Sequence, residues 1–437
     1  MVLRYTPPKS QQTRKKFVTD IVDLDYQGLG VAKIQGKTWF IENALPQEKV
    51  EVQVVEEKRH YGQGIATKIL QVSHQRQRPV CTDYHLCGGC QTQHIAIDLQ
   101  RQTKQNALFQ RLQKLQPHVQ VMPMLEGDIW HYRRRMRLSL SFNSKTKQLD
   151  IGFRQKRSQQ IVNIQQCHVL TKPLNHLLSK LIVLLRNWST PKNLGHIELV
   201  QADNGIAMLL RHTGKLAEKD RSSLIYFAKQ EQLMLFLQDD HHLLQVCGDS
   251  PYYQLDHGLQ LHFDIRDFIQ VNKQLNQKMI STALDWLELK STDNVLDLFC
   301  GMGNFTLPIS RHVKHVIGIE GVSAMVAKAQ KNAVQNQCTN VQFYQADLDK
   351  PFVHHAWATQ PFNKILLDPP RAGAAFALQA LCELNAEKIV YVSCNPATLV
   401  RDTEMLHTLG YRLQKVAMID MFPHTGHLES ISLFEKQ

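Results

Sequence analysis

Four clusters near the end of the chain have the residue types and spacing that chemistry needs. Asp297-Leu298-Phe299-Cys300-Gly301-Met302-Gly303-Asn304 is followed by Asp368-Pro369-Pro370-Arg371, by Ser393-Cys394-Asn395-Pro396 and by His427-Leu428-Glu429-Ser430. Together they offer a glycine-containing loop of cofactor type, a thiol that becomes a nucleophile once deprotonated, and a late carboxylate able to move a proton. Few reactions need that set. Methylation at a pyrimidine ring carbon is one. C5 of uracil attacks a methyl group only after a thiolate has added at C6, and a base must then take the C5 proton so that the thiolate leaves. Cys394 is the candidate nucleophile and Glu429 the candidate base.

Each cluster needs an element to deliver it. Asn294–Phe299 reads as an apolar strand running into Gly301 and Gly303, which allow a tight turn and a close ligand approach. Glu320 ends the next strand, 23 residues after Asp297, where an acid can accept both ribose hydroxyls. Thr306 stands where a dinucleotide fingerprint would place its third glycine. With no pyrophosphate cradle, S-adenosylmethionine fits better than NAD. Asp347 follows the strand 341–344 and reads equally as an adenine neighbour or a helix N-cap. Asp368 closes the strand 364–367, at the carboxyl edge where open α/β sheets bind ligands. Arg371 follows it, where methyltransferases acting on exocyclic amines carry an aromatic residue. Cys394 ends the strand 389–393 on the same edge, with Pro396 expected to stop the chain just beyond. Cys247, Cys300, Cys338 and Cys382 read as small buried hydrophobes. From about residue 272 helices and strands alternate, which implies a parallel, doubly wound sheet.

The front of the chain differs in character. Of the net charge of +12, all lies ahead of residue 270: residues 1–269 hold 36 Lys/Arg against 24 Asp/Glu, and residues 270–437 hold 15 of each. A basic front on a neutral, catalytic-looking rear suggests a polyanion held by one part and processed by the other. Residues 131–157 alone carry nine Lys/Arg and one acid, Asp150, and alternation would line about half of them along a phosphate path. Residues 1–16 are polar and basic, as in a disordered tail. Short apolar alternations broken by Gly and Pro over 17–71 suggest a small closed β-barrel. A polar helix is expected over 95–116, strands within 131–164, and helices over 171–187 and 217–230. Cys81, Cys87 and Cys90 are spaced C-x5-C-x2-C, and Cys167 follows. Four such thiolates hold zinc or an iron–sulfur cluster, and the spacing leaves both open. With nine cysteines, no apolar signal segment and no run of about 18 apolar residues, the chain is expected in a reducing cytoplasm and off the membrane.

These motifs, with Phe268-Ile269-Gln270-Val271-Asn272, resemble those of the RNA uracil-C5 methyltransferases in order and spacing over nearly the whole chain. The resemblance implies Cys394 as nucleophile and Glu429 as base. It implies Gln270, Phe299, Asn304, Glu320, Asp347 and Asp368 as contacts to S-adenosylmethionine or the target base. Residues 17–72 resemble the TRAM domain, an RNA-binding, OB-like β-barrel, through Gly28-Leu29-Gly30-Val31-Ala32 and Leu45-Pro46-Gln47-Glu48-Lys49-Val50. With TRAM and four cysteines, the chain resembles the subgroup acting on 23S ribosomal RNA at uridine 1939, and the resemblance implies a [4Fe-4S] cluster on Cys81, Cys87, Cys90 and Cys167. The organisation expected is a tail at 1–16, the barrel at 17–72, a mixed α+β cluster-bearing and RNA-binding domain at 73–265, and a Rossmann-like, doubly wound methyltransferase domain at 266–437. The substrate expected is naked or partly assembled 23S rRNA, flipped onto Phe268 and its aromatic neighbours, and the enzyme is expected as a monomer. The alternatives are a tRNA uracil-C5 methyltransferase and a non-catalytic RNA-binding or redox protein, the latter disfavoured by the intact Cys394 and Glu429.

Overall fold

The computed structural model describes residues 15–350, 352 and 354–437; the expected tail lies outside them except for its last two residues. The described chain forms two compact units. One gathers residues up to Val80 with Cys90–Ala107 and His424–His427; the other holds Cys81–Gly89, Leu108–Pro423 and Leu428–Gln437.

In the first unit β1 (Lys16–Asp20), β2 (Asp23–Leu24), β3 (Gly30–Ile34), β4 (Lys37–Glu42), β5 (Lys49–Glu57) and β6 (Tyr61–Gln71) form one sheet in the order β1-β5-β6-β4-β3-β2. Its edge strands are consecutive in sequence: Thr19 pairs with Val50, and Asp23 pairs with Val31. The sheet therefore closes on itself at residues 21–22, as the expected barrel requires. Alternation turns Val50, Val52 and Val54 inward against Ala32, Trp39 and Ile41. A Cβ on Gly62 would meet the Trp39 ring at 2.5 Å, so the indole fills the barrel only because that position is glycine. Helix α1 (Ile97–Leu115) starts in this unit.

The second unit contains two large sheets and a two-stranded one. After β7 (Gln120–Val121) come β8 (Arg135–Asn143), β9 (Gln148–Arg154), β10 (Ile161–Asn163), α2 (Lys172–Arg186), β11 (Leu194–Ala202), β12 (Gly205–His212), α3 (Glu218–Gln230), β13 (Leu233–Gln238) and β14 (Leu243–Cys247). The strands other than β7 make a seven-stranded sheet, β10-β9-β8-β11-β12-β13-β14. Met136, Leu138, Ile197, Leu199, Met208 and Leu235 point to one face, where Leu174, Leu178 and Leu181 of α2 and Leu224 of α3 cover them. At β11–β13 the other face is also apolar: Val200, Ala207, Leu209 and Phe236 share a core with Tyr253, Met279, Val295, Val390 and Ile431 of the C-terminal part. Strands β11–β14 were not among the sequence expectations. In β12 and β13, short runs buried on both faces lack the period-two signature and look like buried helix.

The hairpin β15 (Tyr252–Gln254) and β16 (Gln260–His262) leads to α4 (Lys273–Leu287), whose N-cap Asn272 accepts from the Leu275 N–H. Then follow β17 (Asn294–Leu298), α5 (Thr306–Ser310), β18 (His315–Glu320), α6 (Ser323–Gln335), β19 (Val341–Gln345), β20 (Lys364–Leu367), α7 (Ala375–Glu383), β21 (Lys388–Ser393), α8 (Pro396–Thr408), β22 (Tyr411–Ile419) and β23 (Glu429–Lys436). The sheet order is β19-β18-β17-β20-β21-β23-β22-β7. From β19 to β21 it is parallel and wound as expected. Two expectations need correction. β23 inserts antiparallel between β21 and β22, and β7 joins the edge, so the sheet is mixed. Pro396 does not stop the chain: it opens α8, where its missing N–H and fixed φ suit the first turn, behind the N-cap Asn395.

Candidate active site

The carboxyl ends of β17, β18, β20 and β21 form one sheet edge. Leu298 pairs with Ile319 and with Leu367, and Leu367 pairs with Tyr391, so Phe299, Glu320, Asp368 and Cys394 all emerge there. β23 arrives from the opposite direction. Its ladder ends with Ser393 paired to Ser430, so Cys394 and Glu429 are the neighbours of that last pair, and the Glu429 charge acts on the Cys394 thiol. Cys394 is half-buried and Glu429 is 8% exposed. Burial pushes the Cys394 thiol above its usual range; the Glu429 and Asp368 carboxylates push it the same way, and the Arg371 guanidinium pulls it back.

Arg371 is a functional candidate that sequence reasoning did not assign. Its loop is clamped to α8, the helix that starts beside the thiol. The Arg371 carbonyl accepts from Asn395 Nδ2 at 3.1 Å and Thr398 Oγ1 at 3.4 Å. Fully buried Asp402 accepts from the Ala374 N–H at 2.8 Å and from the Tyr391 hydroxyl at 2.6 Å. Gly373, at φ +78°, permits this: a Cβ there would stand 2.5 Å from Asp402 Oδ2 and from Arg401 Nη2.

The cofactor loop is held from below. Phe299 adopts φ +64°, a left-handed conformation that costs a bulky residue about 1–2 kcal/mol and is characteristic of functional loops. Gly301, at φ +55°, has open space where a Cβ would stand, and its N–H donates to Glu320 Oε2 at 3.1 Å. Glu320 Oε1 accepts from the Val322 N–H at 3.0 Å, so the carboxylate is oriented while keeping acceptor capacity for further hydroxyls. The Asn304 and Asn276 side-chain amides bond reciprocally at 3.0 Å, and Tyr253 donates to Asn304 Oδ1 at the same distance. Asp347 stands past β19 at the same edge, but it closes a surface turn with Lys350 at 3.0 Å and caps no helix.

Buried acid collects under this loop. Burial pushes Asp297 up to about 8, helped by Asp368 and Glu320 and opposed by its 2.5 Å bond from Thr306 Oγ1; burial alone pushes Asp368 up to about 7. Buried carboxylates left near-neutral for want of a counter-charge suit a cationic ligand, and a sulfonium is one. Sequence reasoning gave Asp297 no role of its own, because no sequence signal shows that a strand-end acid will be fully buried.

Gln270 is half-buried beside exposed Phe268 (71% exposed). The Gln270 carbonyl accepts from Arg134 Nε at 2.9 Å, and the Arg134 guanidinium, 3% exposed, lies 4.9 Å over the Tyr253 ring. The first basic residues of β8 thus reach the segment that carries Gln270: the Arg134 N–H donates to Val271, and Arg135 bonds the Ile265 carbonyl at 3.0 Å.

The four front cysteines form no disulfide and are half-buried. Cys87 pairs in a single β-bridge with Gln155, and its sulfur accepts from the Gly89 N–H at 3.4 Å, the contact that steadies a metal-bound thiolate. The Cys167 N–H is held by Asn175 Oδ1 at 2.9 Å. This soft donor set fits iron–sulfur or zinc chemistry. No three His, Cys, Asp or Glu side chains among the described residues are gathered closely enough to hold an ion as they stand.

A parallel sheet extended by an antiparallel strand, with a glycine loop after its first strand, an acid after its second and further acid at the same edge, defines a methyltransferase of the S-adenosylmethionine-dependent class. The chain belongs to the RNA uracil-C5 methyltransferase family: the model described as tRNA (Uracil-5-)-methyltransferase matches residues 96–350 and 354–437, and the TRAM domain model matches 14–67. It is 69% identical to a Pasteurella multocida protein named 23S rRNA (uracil(1939)-C(5))-methyltransferase RlmD, and 62% identical to one of the same name from Haemophilus influenzae strain 86-028NP. All of this chain and of the first relative is covered, and 99% of each for the second. A solved structure, the Pyrococcus abyssi tRNA (uracil-54, C5)-methyltransferase in complex with S-adenosyl-L-homocysteine, shares the fold at TM-score 0.72 and 22% identity, over 96% of this chain and all of its own. No described helix is long and apolar enough to cross a membrane.

Proposed function

We propose that this protein transfers a methyl group from S-adenosylmethionine to C5 of uridine 1939 in 23S ribosomal RNA. The reading is supported by the Ser393–Ser430 pair, whose neighbours are Cys394 and Glu429, at the edge that also bears Asp368 and the Gly301–Gly303 loop. The choice of RNA rests on the full-length relatives, which support the ribosomal reading over the tRNA one.

S-adenosylmethionine supplies an electrophilic methyl group. Glu320, Asn304, Phe299, Asp347, Asp368 and Gln270 hold it and the target base, Glu320 through hydroxyl acceptance and Asp368 through its position between loop and thiol. Cys394 Sγ, as thiolate, bonds to C6 of the uracil, and the electron pair of the C5–C6 double bond passes to C5 and O4. C5 then takes the methyl group as the methyl–sulfonium bond breaks, its electron pair staying on the sulfur of the departing S-adenosylhomocysteine. Glu429 removes the remaining C5 proton; the electron pair re-forms C5=C6 and expels the thiolate. Arg371 favours the thiolate at the outset. Phe268 offers a ring on which a flipped base can stack.

Cys81, Cys87, Cys90 and Cys167 hold a [4Fe-4S] cluster in this reading, with a structural role, because methyl transfer moves no net electrons. Support comes from the soft donor set, none of it in a disulfide, and the N–H···S contact at Cys87. We further propose the division 1–16, 17–72, 73–265 and 266–437 into tail, barrel, cluster-bearing and methyltransferase parts, a cytoplasmic location, a monomer, and naked or partly assembled rRNA as substrate.

The test is to map 5-methyluridine after incubating the purified enzyme with unmodified 23S rRNA and tRNA. Methylation at uridine 1939 alone is expected; methylation of tRNA instead would overturn the choice of substrate.

A further inference from the structure

The sheet face that is apolar at β11–β13, where it meets the catalytic part, becomes polar and basic at β8–β10. On that outward face lies a groove of about 650 Å³, lined by Arg137, Arg154, His196, Ser139, Ser141 and Gln159. Its size falls in the range of clefts that take a small-molecule-sized group, about 300–1,000 Å³.

Register builds it. Ser139 stands between Gly152 of β9 and His196 of β11, and Ile161 stands beside Arg154. The centre of the face is therefore occupied by small residues and the rim by cations. Gly152 is required there, since a Cβ would sit 1.8 Å from the Val162 carbonyl oxygen. The inward neighbours Met136, Leu138 and Leu140 anchor β8 in the core, so its outward side chains stand on a rigid support. Arg137 Nη2 lies 3.1 Å from His196 Nδ1, and Arg154 Nη1 donates to the Gln159 carbonyl at 3.0 Å, which hold both guanidinium groups on the rim. No carboxylate lines the groove. Two acids border it and both are paired: Glu198 bridges Arg135 at 2.7 Å and the groove residue His196 at 3.5 Å, and Asp150, opposite Ser141, accepts from Asn163 at 2.8 Å. Two guanidinium groups with serine hydroxyls between them, and bordering acids already paired, match the phosphate and ribose hydroxyls of a nucleic-acid strand.

β8 also connects the groove to the chemistry. Arg134 and Arg135 contact the segment 265–271 that carries Gln270. At about 3.3 Å per residue, Ser139 lies roughly 13 Å further along the strand.

We infer that this groove binds a sugar–phosphate stretch of the RNA substrate outside the reacting uridine and so fixes which part of the strand is presented for methylation. The inference rests on the proposed RNA substrate and goes beyond it by assigning a site.

The test uses the full-length enzyme and a single-stranded rRNA fragment containing the target uridine. Two variants are compared, Arg137→Gln/Arg154→Gln and the groove-filling Ser139→Trp. Each is expected to weaken RNA binding at least 10-fold and to raise the KM for RNA similarly, with S-adenosylmethionine affinity and kcat at saturating RNA unchanged. The salt dependence of the arginine variant should become shallower by about 0.7 for each phosphate that it no longer neutralises. Unchanged RNA affinity in both variants overturns the inference. So does weakening by the arginine variant with none from Ser139→Trp, since long-range charge would then account for it. Failure of the unaltered enzyme to methylate the fragment would count against the proposed function instead, because the groove is read by binding.

Discussion

Cys394 lies one residue beyond the β21–β23 ladder, which ends at the Ser393–Ser430 pair, and there the Glu429 carboxylate acts on the resting state of its thiol. The carboxylate and burial together keep the thiol protonated, against the pull of Arg371. Removing either neighbour should therefore move its reactivity in opposite directions. In Glu429→Gln the thiol ionises at lower pH and Cys394 is alkylated faster by iodoacetamide at pH 8, while turnover falls about 10²–10⁴-fold for want of a base. In Arg371→Gln alkylation slows. Mass spectrometry of the peptide carrying Cys394 reads both rates, and equal rates in all three proteins would show that these charges do not act on the sulfur.

Asp297 and Asp368 give the unliganded protein a particular pH dependence. Their folded values, about 8 and about 7, lie above the ordinary carboxyl value of 3.8, so the native state holds protons that the unfolded chain releases. Stability from these groups is complete below about pH 4 and is lost as pH rises towards 8. Asp297→Asn should flatten this slope and stabilise the free enzyme at pH 8, on the order of a few kcal/mol. Urea unfolding at pH 5 and pH 8 measures it; an unchanged slope in the variant would contradict the burial argument.

Asp402 serves the site from a distance. Asp402→Ala leaves the Tyr391 hydroxyl and the Ala374 N–H unsatisfied in the interior, at a cost of about 2–4 kcal/mol. It also releases the loop bearing Arg371. A lowered melting temperature together with slowed Cys394 alkylation is expected; reduced stability with normal alkylation would separate the clamp from the chemistry.

Anaerobically purified protein is expected to be brown and to contain about four iron and four sulfide per chain. Cys167→Ser should lose iron while the TRAM barrel keeps its strand signal in circular dichroism. Stoichiometric zinc without iron would overturn the cluster.

Much of the catalytic half was legible because its elements obey local rules. Strands 294–298 and 364–367 and helices such as 274–288 carry clear apolar patterns bounded by Gly, Asn and Asp. β12 and β13 were not legible, since strands covered on both faces lose their alternation. The insertion of β23 between β21 and β22 was hidden too: its apolar run was visible, but long-range pairing leaves no mark in a local window. The same pairing brings Cys394 to Glu429, so both residues could be named from their types while their juxtaposition could not. Pro396 misled because a proline at a helix start and one at a chain break look alike. Arg371 and Asp402 escaped because their roles arise from contacts between a loop and a helix.

The most direct test of the covalent step uses rRNA carrying 5-fluorouridine at the target position, with S-adenosylmethionine. Fluorine at C5 cannot leave as a proton, so the reaction stops after methyl transfer with the ring still joined to the enzyme. A stable protein–RNA adduct is expected, with the methylated fluorouridine attached to the peptide containing Cys394 and no adduct in Cys394→Ala. An adduct that survives that substitution, or methylation of ordinary RNA by the Cys394→Ala enzyme, would contradict the account.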